Sequence, residues 1–207
     1  MRTHTKATQE NLTPDEALEI LVEGNDRFVN NIKAHRNLLE QVNETSTGQF
    51  PFAAVLSCID SRTSAELIFD LGLGDIFSIR IAGNILNEDI LGSMEFACKI
   101  AGSKLIVILG HTKCGAVEGA CNNVVFGHIT SVLDKIRPAI YQEVDTLDNR
   151  TGSNKEFVNN VATINVMLTV QNIRERSRLL AEMEEAGKIR IVGGLYDLDT
   201  GKVTFFE

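Results

Sequence analysis

Apolar and polar positions follow two different patterns along the chain. Short uninterrupted apolar runs, of which 104–109 (KLIVIL) is the clearest, are typical of strands that a sheet buries on both faces. The predicted strands lie at 52–57, 75–81, 104–109, 189–192 and 203–206. Elsewhere apolar residues recur at helical spacing. The predicted helices lie at 14–30, 64–71, 87–101, 115–121, 129–143 and 156–185.

The first of these helices has a clear start signal. Thr13 suits the N-cap, Pro14 suits the first helical position, and Glu16 completes a capping box. Residues 1–12 are polar, and we expect them to be flexible. Residues 13–48 are predicted to form an N-terminal helical arm, in which 30–48 is irregular or contains a short second helix.

Strands and helices alternate through the middle of the chain, and this order predicts the fold class. It favours an α/β fold with a mostly parallel central sheet and helices on its faces. A length of 207 residues fits one domain with a sizeable core. We therefore expect a single domain over 1–207.

Composition narrows the classes of partner. Apolar residues make up 43% and charged residues 23% of the chain, which is typical of a globular protein. The net charge of -8 argues against nucleic acid, since binding to phosphates needs a basic surface. The apolar runs are too short to span a bilayer, and the N-terminus lacks the apolar core of a secretory signal. We expect a cytoplasmic protein with no membrane partner.

The candidate chemistry lies directly after two predicted strands. Cys58 follows the first strand, and His111 and Cys114 follow the strand at 104–109. The carboxyl ends of parallel strands meet at one edge of a sheet, so these side chains are predicted to lie close together. Each alone is more commonly a core residue, but thiolates and imidazole together are the ligands that Zn²⁺ prefers. Three such ligands leave the fourth tetrahedral position open, as in catalytic zinc sites.

Two charged residues accompany the first ligand. Asp60 and Arg62 are two positions apart, and an ion pair between them would keep Asp60 ionised and away from the metal. Water would then fill the fourth position. The alternative is that Asp60 itself closes the site. Cys98 and Cys121 are predicted to be buried residues with no role in the site.

These residues resemble the motifs of the β-class carbonic anhydrases. The family pattern C-x-D-x-R is present at 58–62, and H-x-x-C is present at 111–114. Arg80 with the triplet Ala-Gly-Asn at 82–84, and the segment 194–201, are similar to other stretches of the family. The resemblance extends over nearly the whole chain from about residue 13.

The resemblance implies a role for each matched position. Zinc is held by Cys58, His111 and Cys114, and the catalytic dyad beside it is Asp60 with Arg62. Gln49 matches a glutamine that hydrogen-bonds the substrate, in many members across a dimer interface. The implied fold has an antiparallel edge strand, and the implied assembly is a homodimer or homotetramer.

One departure concerns a second bicarbonate site that some members use for regulation. Its tryptophan position is Val55 here, and the chain contains no tryptophan. We therefore expect no regulation of that kind, and we expect Asp60 to stay off the metal.

The implied reaction is the reversible hydration of carbon dioxide to bicarbonate by a zinc-bound hydroxide. Two alternatives remain open at this point. Relatives with the same ligands hydrolyse carbon disulfide or carbonyl sulfide, and the ligand set does not discriminate between these substrates. The second alternative is a non-catalytic protein that zinc only stabilises.

Overall fold

The computed structural model describes residues 3–206, which contain a five-stranded sheet and its flanking helices. The strands are β1 (Ala53–Ser57), β2 (Ile76–Arg80), β3 (Leu105–His111), β4 (Arg190–Tyr196) and β5 (Val203–Phe206). The helices are α1 (Lys6–Asn11), α2 (Pro14–Val29), α3 (Leu38–Thr45), α4 (Ala65–Ile68), α5 (Glu88–Glu95), α6 (Gly115–Cys121), α7 (Ile129–Gln142), α8 (Lys155–Arg176) and α9 (Arg178–Glu185).

The sheet has the strand order β2-β1-β3-β4-β5. All neighbouring strands pair in parallel except β4 and β5, which pair antiparallel. The predicted α/β class, with a mostly parallel sheet and an antiparallel edge strand, is therefore confirmed. Because β1 and β3 are neighbours, with Ser57 opposite Leu109, the residues that follow these strands emerge side by side.

The sheet is covered on both faces. Along β3, Leu105, Val107 and Leu109 belong to one apolar cluster, and Ile106 and Ile108 belong to another. The alternation follows from the two-residue period of a strand, which directs successive side chains to opposite faces. All residues of β1 and β3 are buried, as continuous apolar runs predict.

The start of α2 is confirmed in detail. Thr13 accepts a hydrogen bond from the backbone N–H of Glu16, and the Glu16 carboxylate accepts one from the backbone N–H of Thr13 at 2.8 Å. Upstream, α1 lies inside the segment that we expected to be flexible. The buried Gln9 side chain anchors α1 by donating to the carbonyl oxygens of Pro51 and Ala101 at 2.7 and 2.9 Å.

The prediction of one long helix over 156–185 is wrong. The segment forms two helices, because Ser177 has an extended backbone (φ -116°, ψ 95°) between them. Its hydroxyl accepts from the backbone N–H of Leu180, which caps α9, and donates to the Glu95 carboxylate at 2.6 Å. The predicted helix over 87–101 also differs, since α5 continues after Glu95 as a π-helical segment over Phe96–Ile100.

Within residues 3–206, every helix is either too short or too polar to serve as a membrane span.

Candidate metal centre

Two thiols and an imidazole meet at the carboxyl ends of β1 and β3. Cys58 directly follows β1, His111 is the last residue of β3, and Cys114 is the N-cap of α6. Their ligand atoms all lie within 4.8 Å of one another, and all three residues are buried. The sequence predicted this convergence, although it placed His111 after the strand and not in it.

The His111 ring is oriented by its backbone. Its Nδ1 lies 2.9 Å from the carbonyl oxygen of Thr112, which can only accept, so Nδ1 carries the proton and donates. Among the described residues, the buried Nε2 has no hydrogen-bond partner. An acceptor nitrogen without a partner in the protein interior is costly, and a metal ion would satisfy it.

The spacing of the sulfurs also fits zinc. Sγ of Cys58 and Sγ of Cys114 are 4.0 Å apart. Zinc–sulfur bonds of about 2.3 Å at tetrahedral angles place two sulfurs about 3.8 Å apart. The residues present therefore fit a tetrahedral zinc ion with one position left open.

The two thiols differ in acidity. A hydrogen bond from Cys114, together with backbone N–H groups, outweighs burial and lowers the pKa of Cys58. The same hydrogen bond, together with burial, raises the pKa of Cys114. The pair thus retains one proton, and a bound cation would displace it.

Backbone and side-chain donors fix the loop that carries Cys58. The backbone N–H of Gly83 donates to Sγ of Cys58 at 3.3 Å. Arg80, opposite Ser57 at the end of β2, donates to the carbonyl oxygens of Cys58 and Asp60 at 3.0 and 2.5 Å. Sequence reasoning did not find these two contributions, because they depend on β2 pairing with β1.

Asp60 and Arg62 form the predicted ion pair. Nε and Nη2 of Arg62 donate to the two carboxylate oxygens of Asp60 at 2.9 and 2.7 Å, and the backbone N–H of Arg62 adds a third hydrogen bond at 2.9 Å. The side-chain hydrogen bonds from Arg62 outweigh burial and hold the pKa of the Asp60 carboxyl well below its usual range. Asp60 is therefore ionised and lies outside the three-residue cluster.

A cavity of about 420 Å³ adjoins the cluster. Cys58 and Asp60 contribute to its wall, and most of the remaining lining is apolar, including Val124, Ile129 and Leu133. Gln49 is exposed and is not among the lining residues. Within this chain, the structure therefore brings together all the predicted site residues except Gln49.

The other two cysteines are buried, as predicted, and lie outside the cluster. Burial raises the pKa of Cys98 to about 12. Burial is also the main reason why the pKa of Cys121 is raised to about 11. Both thiols are therefore protonated near neutral pH and are poor metal ligands.

Comparisons with known proteins agree with this site. The carbonic anhydrase family profile matches residues 53–203. The chain is 35% identical over 198 residues to carbonic anhydrase 2 of Mycobacterium tuberculosis, covering 93% of this chain and 92% of that protein. It is 34% identical over 199 residues to the carbonic anhydrase of Mycolicibacterium smegmatis, covering 93% of both. The crystal structure of the β-carbonic anhydrase CafA of Aspergillus fumigatus is similar with a TM-score of 0.73 and 29% identity, over 82% of this chain and 81% of that one.

The fold and the cluster define a zinc enzyme of the α/β class. The chain belongs to the carbonic anhydrase family, and within it to the β class. Its reaction is the reversible hydration of carbon dioxide, and its cofactor is zinc. These findings favour this reaction over hydrolysis of carbon disulfide or carbonyl sulfide and over a non-catalytic role.

Proposed function

We propose that Cys58, His111 and Cys114 are the zinc ligands, and that Asp60 and Arg62 are the residues that orient the reactants. The observation that carries this proposal is the buried cluster with its unpartnered His111 Nε2, directly beside a carboxylate that Arg62 holds at both oxygens. Zinc, when bound there, acidifies a water ligand and so supplies hydroxide near neutral pH.

Asp60 acts as an acceptor of a hydrogen bond from the attacking oxygen. An ionised carboxylate has no proton to donate, so it selects the orientation in which the oxygen presents a lone pair to the substrate. Arg62 occupies both carboxylate oxygens and thereby keeps Asp60 from turning toward the ligand cluster. The fourth position of the metal then stays available.

The cavity wall suits carbon dioxide. Val124, Ile129 and Leu133 give it an apolar lining that holds a small molecule of low polarity without hydrogen bonds. Among the lining residues, Asp60 supplies the charged side chain. Gln49, exposed on its own chain, is proposed to hydrogen-bond the substrate of a partner subunit.

Metal analysis of single variants tests the ligand assignment. The wild-type protein should retain about one zinc per chain, and Cys58→Ser, His111→Ala and Cys114→Ser should each lose most of it. Cys98→Ser and Cys121→Ser are the matched controls, since both cysteines are buried but lie outside the cluster. A ligand variant that keeps wild-type zinc content and carbon dioxide hydration would refute the assignment.

We also propose that the chain forms a homo-oligomer through the arm formed by residues 13–48. Several apolar side chains of this arm are exposed, among them Leu39 at 77% and Ile32 at 66%, and a second copy would bury them. A structurally similar pair of β-carbonic anhydrases from Sordaria macrospora is described as tetrameric.

Light scattering coupled to size exclusion tests this assembly. The measured mass of the wild-type protein should be at least twice the mass of one chain, and Leu39→Asp should lower it. Leu147→Asp, at an 86% exposed position outside the arm, should leave it unchanged. A monomeric wild type, or equal effects of both variants, would refute the role of the arm.

A cytoplasmic location is proposed because all four cysteines are free and two are needed as thiolates. Cell fractionation in the native host tests it, and recovery of the protein outside the cytoplasm would refute it.

A further inference from the structure

Two turns act on the thiol ligands, one by a hydrogen bond to Cys58 and one by leading directly into Cys114, and each contains a residue in the left-handed backbone region. Gly83 has φ +66° and donates its N–H to Sγ of Cys58. Lys113 has φ +56° and directly precedes Cys114. A left-handed residue other than glycine is strained, so the surrounding structure must stabilise the turn at Lys113.

One helix contacts both turns through asparagine side chains. Nδ2 of Asn165 donates to the carbonyl oxygen of Gly83 at 2.9 Å. Oδ1 of Asn159 accepts from the backbone N–H of Lys113 at 3.1 Å. Both asparagines belong to α8, so the two turns are held by a single rigid element.

The Asn165 contact is buried and closely packed. Asn165 is 4% exposed, so water does not replace its hydrogen bond when it is removed. At Gly83, a Cβ atom would lie 2.6 Å from Cδ1 of Ile136 and 3.3 Å from Cβ of Ala116. These walls and Asn165 together aim the Gly83 N–H at the sulfur of Cys58.

The Asn159 contact acts on the strained turn. It satisfies the backbone N–H of Lys113, while the Lys113 ammonium pairs with Asp199 in the turn between β4 and β5. The turn is thereby held from both sides. Its conformation sets where Cys114 begins α6 and where its sulfur lies.

We propose that Asn165 and Asn159 are positioning residues for the two thiolate ligands, Asn165 acting through Gly83 on Cys58 and Asn159 acting through Lys113 on Cys114. This inference rests on the ligand set proposed above. The N–H···S hydrogen bond withdraws charge from the Cys58 thiolate, so Asn165 also tunes how strongly that sulfur donates to a metal.

Cobalt substitution and metal release test the role of Asn165. In Asn165→Ala the thiolate-to-cobalt charge-transfer band should move to lower energy, and zinc should pass to a chelator about 10–100-fold faster than in wild type. Asn172→Ala, about two turns further along α8, is the matched control and should change neither reading. A folded Asn165→Ala protein with an unchanged band and a release rate within about twofold of wild type would overturn the inference.

A double-mutant cycle tests the positioning role of Asn159, and it remains available as a test of the inference if Asn165→Ala fails to fold. Asn159→Ala should speed zinc release in the wild-type background, and it should have a smaller effect in Lys113→Gly, because glycine adopts the left-handed region without strain. An equal effect in both backgrounds, or none in either, would overturn the inference. Failure of the ligand assignment looks different, because wild-type protein with cobalt would then lack a thiolate charge-transfer band.

Discussion

Arg62 holds the carboxylate of Asp60 at both oxygens, with Nε donating to Oδ1 at 2.9 Å and Nη2 donating to Oδ2 at 2.7 Å. This two-point contact fixes the plane of the carboxylate and also stabilises its ionised form. The side chains of Arg62 and Asp60 are 55% and 17% exposed, so solvent screens the ion pair. The pair therefore contributes more to orienting the carboxylate than to the stability of the fold.

Replacing the guanidinium by an ammonium should therefore reduce activity with little effect on folding. In Arg62→Lys the charge remains but the fork that fixes the carboxylate plane is lost. We expect kcat for carbon dioxide hydration to fall about 10–100-fold with the unfolding midpoint nearly unchanged. Arg178→Lys, which alters an exposed pair with Glu182, should leave both unchanged. An Arg62→Lys enzyme with wild-type kcat would show that the fork is dispensable.

Two glycine-to-alanine variants should have opposite effects on the free energy of unfolding. Gly83 has φ +66° and no room for a Cβ, so Gly83→Ala should destabilise the protein by about 1–3 kcal/mol and weaken zinc retention. Gly92 lies inside α5, and a methyl group added there would have no atom within 4 Å apart from its chain neighbours and the nearby backbone of its own helix, so Gly92→Ala should stabilise by about 0.5–1 kcal/mol. Chemical denaturation measures both values. A Gly83→Ala protein as stable as wild type would contradict the packing described at the turn.

The five strands and the start of α2 could be predicted because local signals agree with the fold. The apolar run of β3 and the capping box at Thr13 and Glu16 contain what is needed to form their elements. The break at Ser177 could not be predicted, since it is stabilised by Glu95, 82 positions away. A tertiary contact of this kind does not alter the local pattern of apolar and polar residues.

Some features of the candidate site could likewise be predicted from the sequence, and others could not. The ligands could be predicted because their residue types and their places after strands are visible in the sequence. Arg80 and the N–H of Gly83 could not be assigned their contacts, because these depend on the register in which Arg80 lies opposite Ser57. The position of Gln49 relative to a partner depends on assembly, which the sequence of one chain does not fix.

The buried carboxylate of Asp70 should make stability depend on acid pH. Burial alone would raise the pKa of Asp70, but hydrogen bonds from Arg27, the Ala34 N–H and Arg36 outweigh it and lower the pKa. Since the folded pKa lies below the unfolded value of about 3.9, this contribution is present above that pH and is lost as pH falls through the folded pKa.

Asp70→Asn tests this dependence. It removes the buried carboxylate that pairs with Arg36, whose side chain is 8% exposed, and should cost about 3 kcal/mol near neutral pH. The variant should also lose less stability than wild type on going below about pH 4. Urea denaturation across this range measures both effects. Glu182→Gln, in an exposed pair with Arg178, is the control and should change stability by less than about 0.5 kcal/mol. Parallel curves for wild type and Asp70→Asn would contradict the account.

Removal of zinc should expose one thiolate to alkylation. In the metal-free protein the hydrogen bond from Cys114 lowers the pKa of Cys58, whereas burial raises that of Cys98 to about 12. After treatment with a chelator, iodoacetamide near neutral pH should modify Cys58 first and leave Cys98 unmodified, and re-addition of zinc should protect Cys58. Peptide mass spectrometry locates the modification. Equal labelling of Cys58 with and without zinc would argue against its being a ligand.

We propose that the Cys58, His111 and Cys114 cluster holds the zinc for hydration of carbon dioxide, and that the Asp60 carboxylate beside it orients the attacking oxygen. Stopped-flow hydration by wild type and Asp60→Asn, each loaded with about one zinc per chain, tests it most directly. We expect fast hydration by wild type and a loss of about 100-fold or more in Asp60→Asn at equal zinc content. Zinc-loaded wild type that does not hydrate carbon dioxide, or Asp60→Asn that hydrates it at the wild-type rate, would contradict the account.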